Sequence, residues 1–272
     1  MWKIIFSDID GTLLNKDRNI STETIHAYNR IKTNTDLVLI SSRMPSGMTY
    51  FQEALNNKHT PLVCYNGGLV LKNSLDAFLN PENILLDISI PSETVRFIND
   101  YLKNIEVNFS VYNYNNWYTT KQDYWTAREE NNTKSKAAFV ASDFFNTHKI
   151  NAHKINIMGE KSHIDKIYAF LKTEIPTVDL YRAKDTYIEI ANKKTSKGLA
   201  VEVLLKNFYT TIHKKETIGF GDNYNDIPLF RAVGHAVAVE NARSELKAIA
   251  HATTLSNKAH GVAAFINENF QF

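Results

Sequence analysis

A single cysteine among 272 residues, Cys64, excludes an intramolecular disulfide and agrees with a reducing compartment. It lies inside the apolar run Pro61-Leu62-Val63-Cys64-Tyr65, which makes it a packed small side chain rather than a catalytic thiol. Apolar runs long enough to cross a bilayer are lacking as well. From Met1-Trp2-Lys3 the chain passes straight into a short apolar stretch, without the basic and small-residue flanks of a secretory leader, so a soluble cytoplasmic protein is expected. Charge of one sign is scarce: 31 Lys and Arg against 29 Asp and Glu leave +2, and no Lys/Arg block tracks phosphates, so neither a nucleic acid nor a membrane is an expected partner. The nine histidines are scattered without ligand spacing. What remains is an ordinary globular composition, 43% hydrophobic and 22% charged, in a chain long enough for two domains.

Two carboxylates on alternate residues follow the first apolar run, in Ile4-Ile5-Phe6-Ser7-Asp8-Ile9-Asp10-Gly11-Thr12. If the run is a buried strand, Asp8 and Asp10 stand at its C-terminal end, where open α/β sheets place ligands. Taken alone, the same residues also read as an Asp-Gly turn. Ser21 is a credible N-cap for a helix to about residue 32, and 36–40 reads as a second buried strand ending in Ser41-Ser42-Arg43. Pro45 suits the first turn of a helix to about residue 56, 62–65 is a third strand, and Asn66-Gly67-Gly68 turns the chain into 69–71. Strands alternating with helices predict a doubly wound parallel sheet.

From about residue 84 the grammar changes. A strand over 84–90, a helix from Ser92 to about 103 and strands over 106–113 and 117–120 are followed by the same order at 154–158, 161–173, 178–182 and 186–191. This predicts a duplicated β-α-β-β unit joined by a helical segment around 124–145, forming an antiparallel sheet with helices on one face. Aromatic residues of this region, Tyr112, Tyr114, Trp117, Tyr118, Tyr124 and Trp125, suggest a sugar-stacking surface, but at strand spacing they read first as packing. The alternating pattern then resumes, with a helix from Ser196 and a strand over 216–220 that ends in Gly221-Asp222-Asn223-Tyr224-Asn225-Asp226. The expected organisation is a core of residues 1–83 and 189–272 interrupted by an α+β domain at 84–188.

Three polar clusters, Asp8/Asp10, Ser41/Ser42 and Asp222/Asn225/Asp226, thus fall at strand C-terminal ends that share one edge of a doubly wound sheet. Carboxylates gathered there repel by roughly 4 kcal/mol per pair at about 4 Å and an effective dielectric of about 20, so a cation must be present. Hard oxygen donors without nearby His or Cys favour Mg²⁺ over Zn²⁺. Lys197 adds a positive charge at a helix start, where the helix dipole disfavours it unless an anion, such as a phosphate, compensates.

Asp8-Ile9-Asp10-Gly11-Thr12, Ser41, Lys197-Gly198 and Gly221-Asp222-x-x-Asn225-Asp226 together resemble the four motifs of the haloacid dehalogenase-like superfamily, and the insertion resembles the large α/β cap of its Cof-type phosphatases. The resemblance covers the whole chain. It implies a Rossmann-like core with a substrate-specificity cap and a Mg²⁺-dependent phosphatase of a small phosphorylated metabolite such as a sugar phosphate, working as a monomer or weak homodimer. It also implies roles: Asp8 as nucleophile forming an aspartyl-phosphate, and Asp10 as general acid and then base, with a pKa raised by its carboxylate neighbours. Mg²⁺ would be held by Asp8, the Asp10 carbonyl and Asp222, with Asp226 bracing its waters. Backbone Ile9, Ser41, Ser42, Lys197 and Asn225 would hold phosphoryl oxygens. Where the family more often has Thr-Gly-Arg this chain has Ser41-Ser42-Arg43, which puts a side chain at position 42 close to the ligand. Arg43 and Asn66, just beyond strand ends, are candidates for contacting substrate, or a salt bridge and a turn residue. A phosphomutase or a non-catalytic phosphosugar-binding regulatory protein are the alternatives. Only Arg96, Arg128 and Arg182 supply arginines in the insertion, and intact Asp8 and Asp10 have no use in a binding module.

Overall fold

A computed structural model describes residues 2–78 and 80–270. In chain order its strands are β1 (Ile4–Asp8), β2 (Asp36–Ile40), β3 (Leu62–Cys64), β4 (Leu69–Leu71), β5 (Ile84–Asp87), β6 (Val107–Asn113), β7 (Asn116–Thr119), β8 (Ala138–Phe139), β9 (Lys154–Gly159), β10 (Val178–Lys184), β11 (Tyr187–Asn192), β12 (Thr217–Gly221), β13 (His235–Val239) and β14 (Ala252–Thr254). The chain folds as two units, one of residues up to Asp87 and from Ser196 onward, the other Ile88–Thr195.

In the first unit the order is β14-β13-β12-β1-β2-β3-β4-β5. The six strands from β14 to β3 are parallel, while β4 and β5 extend the edge antiparallel. β1 and β12 are buried along their whole length, as strands covered on both faces must be, which is why they read as continuous apolar runs. The strand order reverses at the β1/β12 pair, the switch point at which open α/β sheets hold their ligands. Phe6, Val38, Ile40, Val201, Leu204 and Leu229 belong to the apolar cluster that packs helices onto this sheet. Ser21 caps the helix Thr22–Ile31 by accepting from Thr24 N–H, and the helix Ser46–Leu55 follows Pro45, as the sequence predicts.

The second unit has its own six-stranded sheet, β10-β11-β9-β6-β7-β8, antiparallel except for the short β7–β8 pair. One face packs Val107, Phe109, Val111, Ile155, Ile157, Ile188 and Ile190 with residues of the helices Ser92–Leu102 and Lys161–Glu174. The second β-α-β-β repeat is complete within this sheet, but the first lacks its leading strand. Of the predicted strand over 84–90, Ile84–Asp87 pairs with β4 and belongs to the first unit, and Ile90 makes only an isolated bridge to Ala152. The units accordingly divide at 87/88 and 195/196, where the sequence suggested 83/84 and 188/189. The connecting segment contains the helix Tyr124–Thr133, β8 and the short helix Phe144–Thr147. Tyr112 and Trp117 are buried and stacked on one another, the packing role expected of them, while Tyr124 is exposed.

Candidate active site

β1 ends at Asp8, whose backbone pairs with Ile40 of β2, so Ser41 lies one residue beyond the same level. The chain then leaves the sheet in a turn containing Gly11 at φ +91°, a left-handed conformation that glycine adopts without strain. A Cβ there would stand 2.4 Å from Asp222 Oδ2, so Gly11 also lets the β1 turn close against the β12 turn. Thr12 donates to Asp222 Oδ1 at 3.5 Å, and Asn241 donates to the Gly11 carbonyl at 2.8 Å.

Lys197 opens the helix Lys197–Asn207 behind its N-cap Ser196 and is completely buried. Its Nζ donates to Asp8 Oδ1 at 2.5 Å and to Asp226 Oδ1 at 2.6 Å. Two carboxylates therefore compensate the cation that the sequence left waiting for a phosphate. Burial acts to lower the Lys197 pKa, but Asp226 and Asp8 outweigh it and keep the ammonium protonated. Asp226 is spent on structure: its other oxygen accepts from Asp222 N–H (2.9 Å) and Asn223 N–H (3.1 Å), which shapes the loop after β12. Asp8 Oδ2, also buried, has no hydrogen-bond partner among the described residues.

Oxygens of Asp8, Asp222 and Asp226 lie within 4.8 Å of one another. Burial pushes the Asp8 carboxyl well above the usual range in spite of Lys197, and the charges of Asp226 and Asp222 add to the rise. Burial and the Asp226 charge likewise lift Asp222 to about 6. Three carboxylates against one lysine, with a buried oxygen left over and only hard oxygen donors at hand, fit a small divalent cation.

Asp10 departs from expectation. The strand stops at Asp8, so the two-residue period does not extend to Asp10, which sits half-exposed in the turn. Arg43 meets it as a fork, Nε to Oδ2 and Nη2 to Oδ1, both at 2.7 Å, and Arg18 Nη2 adds a third contact at 3.1 Å. Burial would raise the Asp10 carboxyl, but the two arginines hold it below the usual carboxylate range, opposite to the rise predicted from its acidic neighbours. Arg43 is thus a buried partner of Asp10, the salt-bridge reading, rather than a free cation for substrate.

Ser41 is buried, and its Oγ accepts from Arg43 N–H at 3.3 Å. Ser42, next to it, is partly exposed. Asn66 and Asn225 come together, Asn225 Nδ2 donating to Asn66 Oδ1 at 3.1 Å. Asn66 belongs to a run of three left-handed residues, Tyr65, Asn66 and Gly67, at φ 54°, 54° and 98°. A Cβ on Gly67 would lie 2.3 Å from the Ser196 carbonyl, so this turn seats directly on the N-terminus of the Lys197 helix. Sequence reasoning passed over Arg18, Tyr50 and Asn241. The one available signal was for Arg18, in the turn-rich Asn15-Lys16-Asp17-Arg18-Asn19 between the bridged residues Leu14 and Ile20.

Comparison with known proteins gives the same picture at family level. Residues 5–266 match the family model described as haloacid dehalogenase-like hydrolase. The chain is 30% identical to a putative phosphatase of Haemophilus influenzae over 99% of both chains. It is 27% identical to a 5-amino-6-(5-phospho-D-ribitylamino)uracil phosphatase of Bacillus subtilis, over 98% of this chain and 97% of that protein. Among solved structures, a haloacid dehalogenase-like hydrolase from Bacteroides thetaiotaomicron superposes with a TM-score of 0.89 at 25% identity, covering 99% of this chain and 100% of that one. A sugar phosphatase of the same superfamily shares the fold with a TM-score of 0.78 at 18% identity, over 98% of each chain.

Proposed function

The chain belongs to the haloacid dehalogenase-like hydrolase family, and from that premise we propose that it is a Mg²⁺-dependent phosphatase of a small phosphorylated metabolite, a sugar phosphate being the best-supported class. The observation that carries this reading is Asp8 itself: a buried carboxylate at the sheet's switch point, anchored through one oxygen to Lys197, with its second oxygen unpartnered among the described residues. Asp8 attacks phosphorus, the bond from phosphorus to the leaving oxygen breaks, and that oxygen takes a proton from Asp10, whose carboxyl must first be protonated against the pull of Arg43 and Arg18. In the second half, water gives a proton back to the Asp10 carboxylate and attacks phosphorus, and the bond to Asp8 breaks to release phosphate. Lys197 stays charged and faces the phosphoryl group from the Asp8 side, while Ser41, Ser42, the Ile9 backbone and Asn225 are the further donors. Asp8, Asp222 and the Asp10 carbonyl would hold Mg²⁺, with Asp226 behind them, and the ion when bound supplies charge neutralisation for the transferring group.

A sugar phosphate is supported by two comparisons taken together: the ribityl phosphate in the name of one relative, and the sugar phosphatase that shares the fold. The insertion, Ile88–Thr195, would serve as the cap that selects the leaving group. A mutase would need a second anion site there, yet Arg182 is paired with Asp165 at 2.6 Å and Arg128 lies over the Trp125 ring, which favours hydrolysis. Purified protein with Mg²⁺ is expected to release phosphate from sugar phosphates and from 4-nitrophenyl phosphate, and to stop on chelation. Asp8→Asn should reduce turnover to background while circular dichroism and the unfolding transition remain those of a folded protein. A folded Asp8→Asn enzyme of full activity would remove the mechanism.

A further inference from the structure

The N–H groups of Arg43 are almost all committed to the protein. Nε and Nη2 form the 2.7 Å fork on Asp10, and Nη1 donates to the Gly47 carbonyl at 3.3 Å and to Tyr50 Oη at 3.2 Å. The Arg43 side chain is 6% exposed, and its guanidinium carbon lies 5.3 Å from the Phe51 ring centroid, which closes its other side. Gly47, Tyr50 and Phe51 all belong to the helix Ser46–Leu55, so the fork is anchored on a rigid element. Arg18 is different in kind. It is 55% exposed, touches Asp10 through one nitrogen, and sits at φ 60° in the turn between Leu14 and Ile20. An exposed single contact of this sort constrains little.

We propose that Arg43 is a positioning residue: held by Gly47 and Tyr50, it fixes the plane and direction of the Asp10 carboxyl group so that Asp10 meets the leaving oxygen of the substrate. This rests on the assignment of Asp10 as proton donor and acceptor above. A two-point fork sets orientation as well as distance, which a point charge at the same place does not. Asp10 needs such a device because it lies beyond the end of β1 in a glycine-containing turn, where the sheet no longer orients its side chain. Proton transfer tolerates little misplacement, so a carboxyl group that wanders is a poor acid even when it is present. The inference also accounts for Tyr50, whose hydroxyl accepts from Nη1 and holds the far side of the guanidinium.

Leaving groups separate this role from a merely structural one. An alkoxide departs only with a proton, whereas 4-nitrophenolate departs unassisted, so an error in placing Asp10 affects kcat/KM for the first far more than for the second. Arg43→Lys retains the charge and loses the fork. It is expected to lower kcat/KM for 2-glycerophosphate by about 10- to 100-fold and for 4-nitrophenyl phosphate by less than about 3-fold. Tyr50→Phe, which removes no charge, should shift the same ratio in the same direction by about 2- to 5-fold and decides the question if Arg43→Lys fails to fold. Equal losses on both esters, or an unchanged ratio in Tyr50→Phe when Arg43→Lys is unfolded, would overturn the proposal. Asp10→Asn is measured alongside. If it is as active as the wild type on both esters, the assignment of Asp10 fails; if its loss falls mainly on the alkyl ester and that of Arg43→Lys does not, only the positioning role fails.

Discussion

At the scale of single residues, Lys197 is the hinge on which the charge balance of the site turns. Its ammonium lies between Asp8 and Asp226 with all three groups buried, and removing one partner of such a set leaves charge stranded in a medium that solvates it poorly. Lys197→Met, close in size and uncharged, is therefore expected to abolish phosphatase activity and to cost about 3 to 5 kcal/mol in urea unfolding at neutral pH. Added Mg²⁺ should recover part of that stability, because an ion bound by the same carboxylates replaces the missing charge. An unfolding midpoint equal to that of the wild type would show that the cluster does not depend on this lysine. The need for a cation here was legible in the sequence, since carboxylates grouped at strand ends cannot stand together uncompensated. Which anion Lys197 would meet was not legible, because Asp8 and Asp226 reach it only through the arrangement of β1, β12 and the intervening helix. Asp10 failed in the opposite direction: an alternate-residue pattern places two side chains on one side only while the strand continues, and this one ends at Asp8.

Among elements, the Tyr65–Gly67 turn does more than reverse the chain from β3 to β4. Its three left-handed residues bring Asn66 to Asn225 and press Gly67 against the carbonyl of Ser196, the residue that caps the Lys197 helix. Gly67→Ala combines a strained φ with a backbone clash that no rotamer relieves, and should destabilise the protein by about 1 to 3 kcal/mol. The Lys197 helix would have to retreat to admit the methyl group, so kcat should fall along with stability. Thermal unfolding and steady-state kinetics on the same variant check both, and unchanged values would show that the turn does not seat the helix. That Asn66-Gly67-Gly68 is a tight turn can be read from the residues alone. Its use as a seat for a helix that begins far along the chain cannot, because glycine at φ > 0 looks the same in sequence whether its open side faces solvent or a carbonyl.

On the scale of the whole molecule, the chain is a doubly wound sheet into which a second unit has been inserted without interrupting the first. The change from alternating strands and helices to a repeated β-α-β-β order made the insertion legible, and the boundary error has a simple cause. The apolar stretch that begins at Ile84 serves two sheets, Ile84–Asp87 completing the edge of one and Ile90 bridging to Ala152 in the other, and periodicity cannot divide a run by destination. Each unit has its own apolar cluster, and every residue of the carboxylate cluster, Asp8, Asp222 and Asp226 with Lys197, belongs to the first. β5, at whose end the chain leaves the first unit, packs beside the helix Lys197–Asn207, at whose start it returns. Replacing residues 88–195 by a short Gly-Ser linker should therefore leave a soluble protein with one cooperative unfolding transition. Its midpoint should still rise with Mg²⁺, since the proposed ligands are all retained. Discrimination between sugar phosphates should disappear, because the unit proposed to select the leaving group is gone, while hydrolysis of 4-nitrophenyl phosphate persists at a reduced rate. An aggregated product, or a transition indifferent to Mg²⁺, would mean that the first unit cannot build the site without the second.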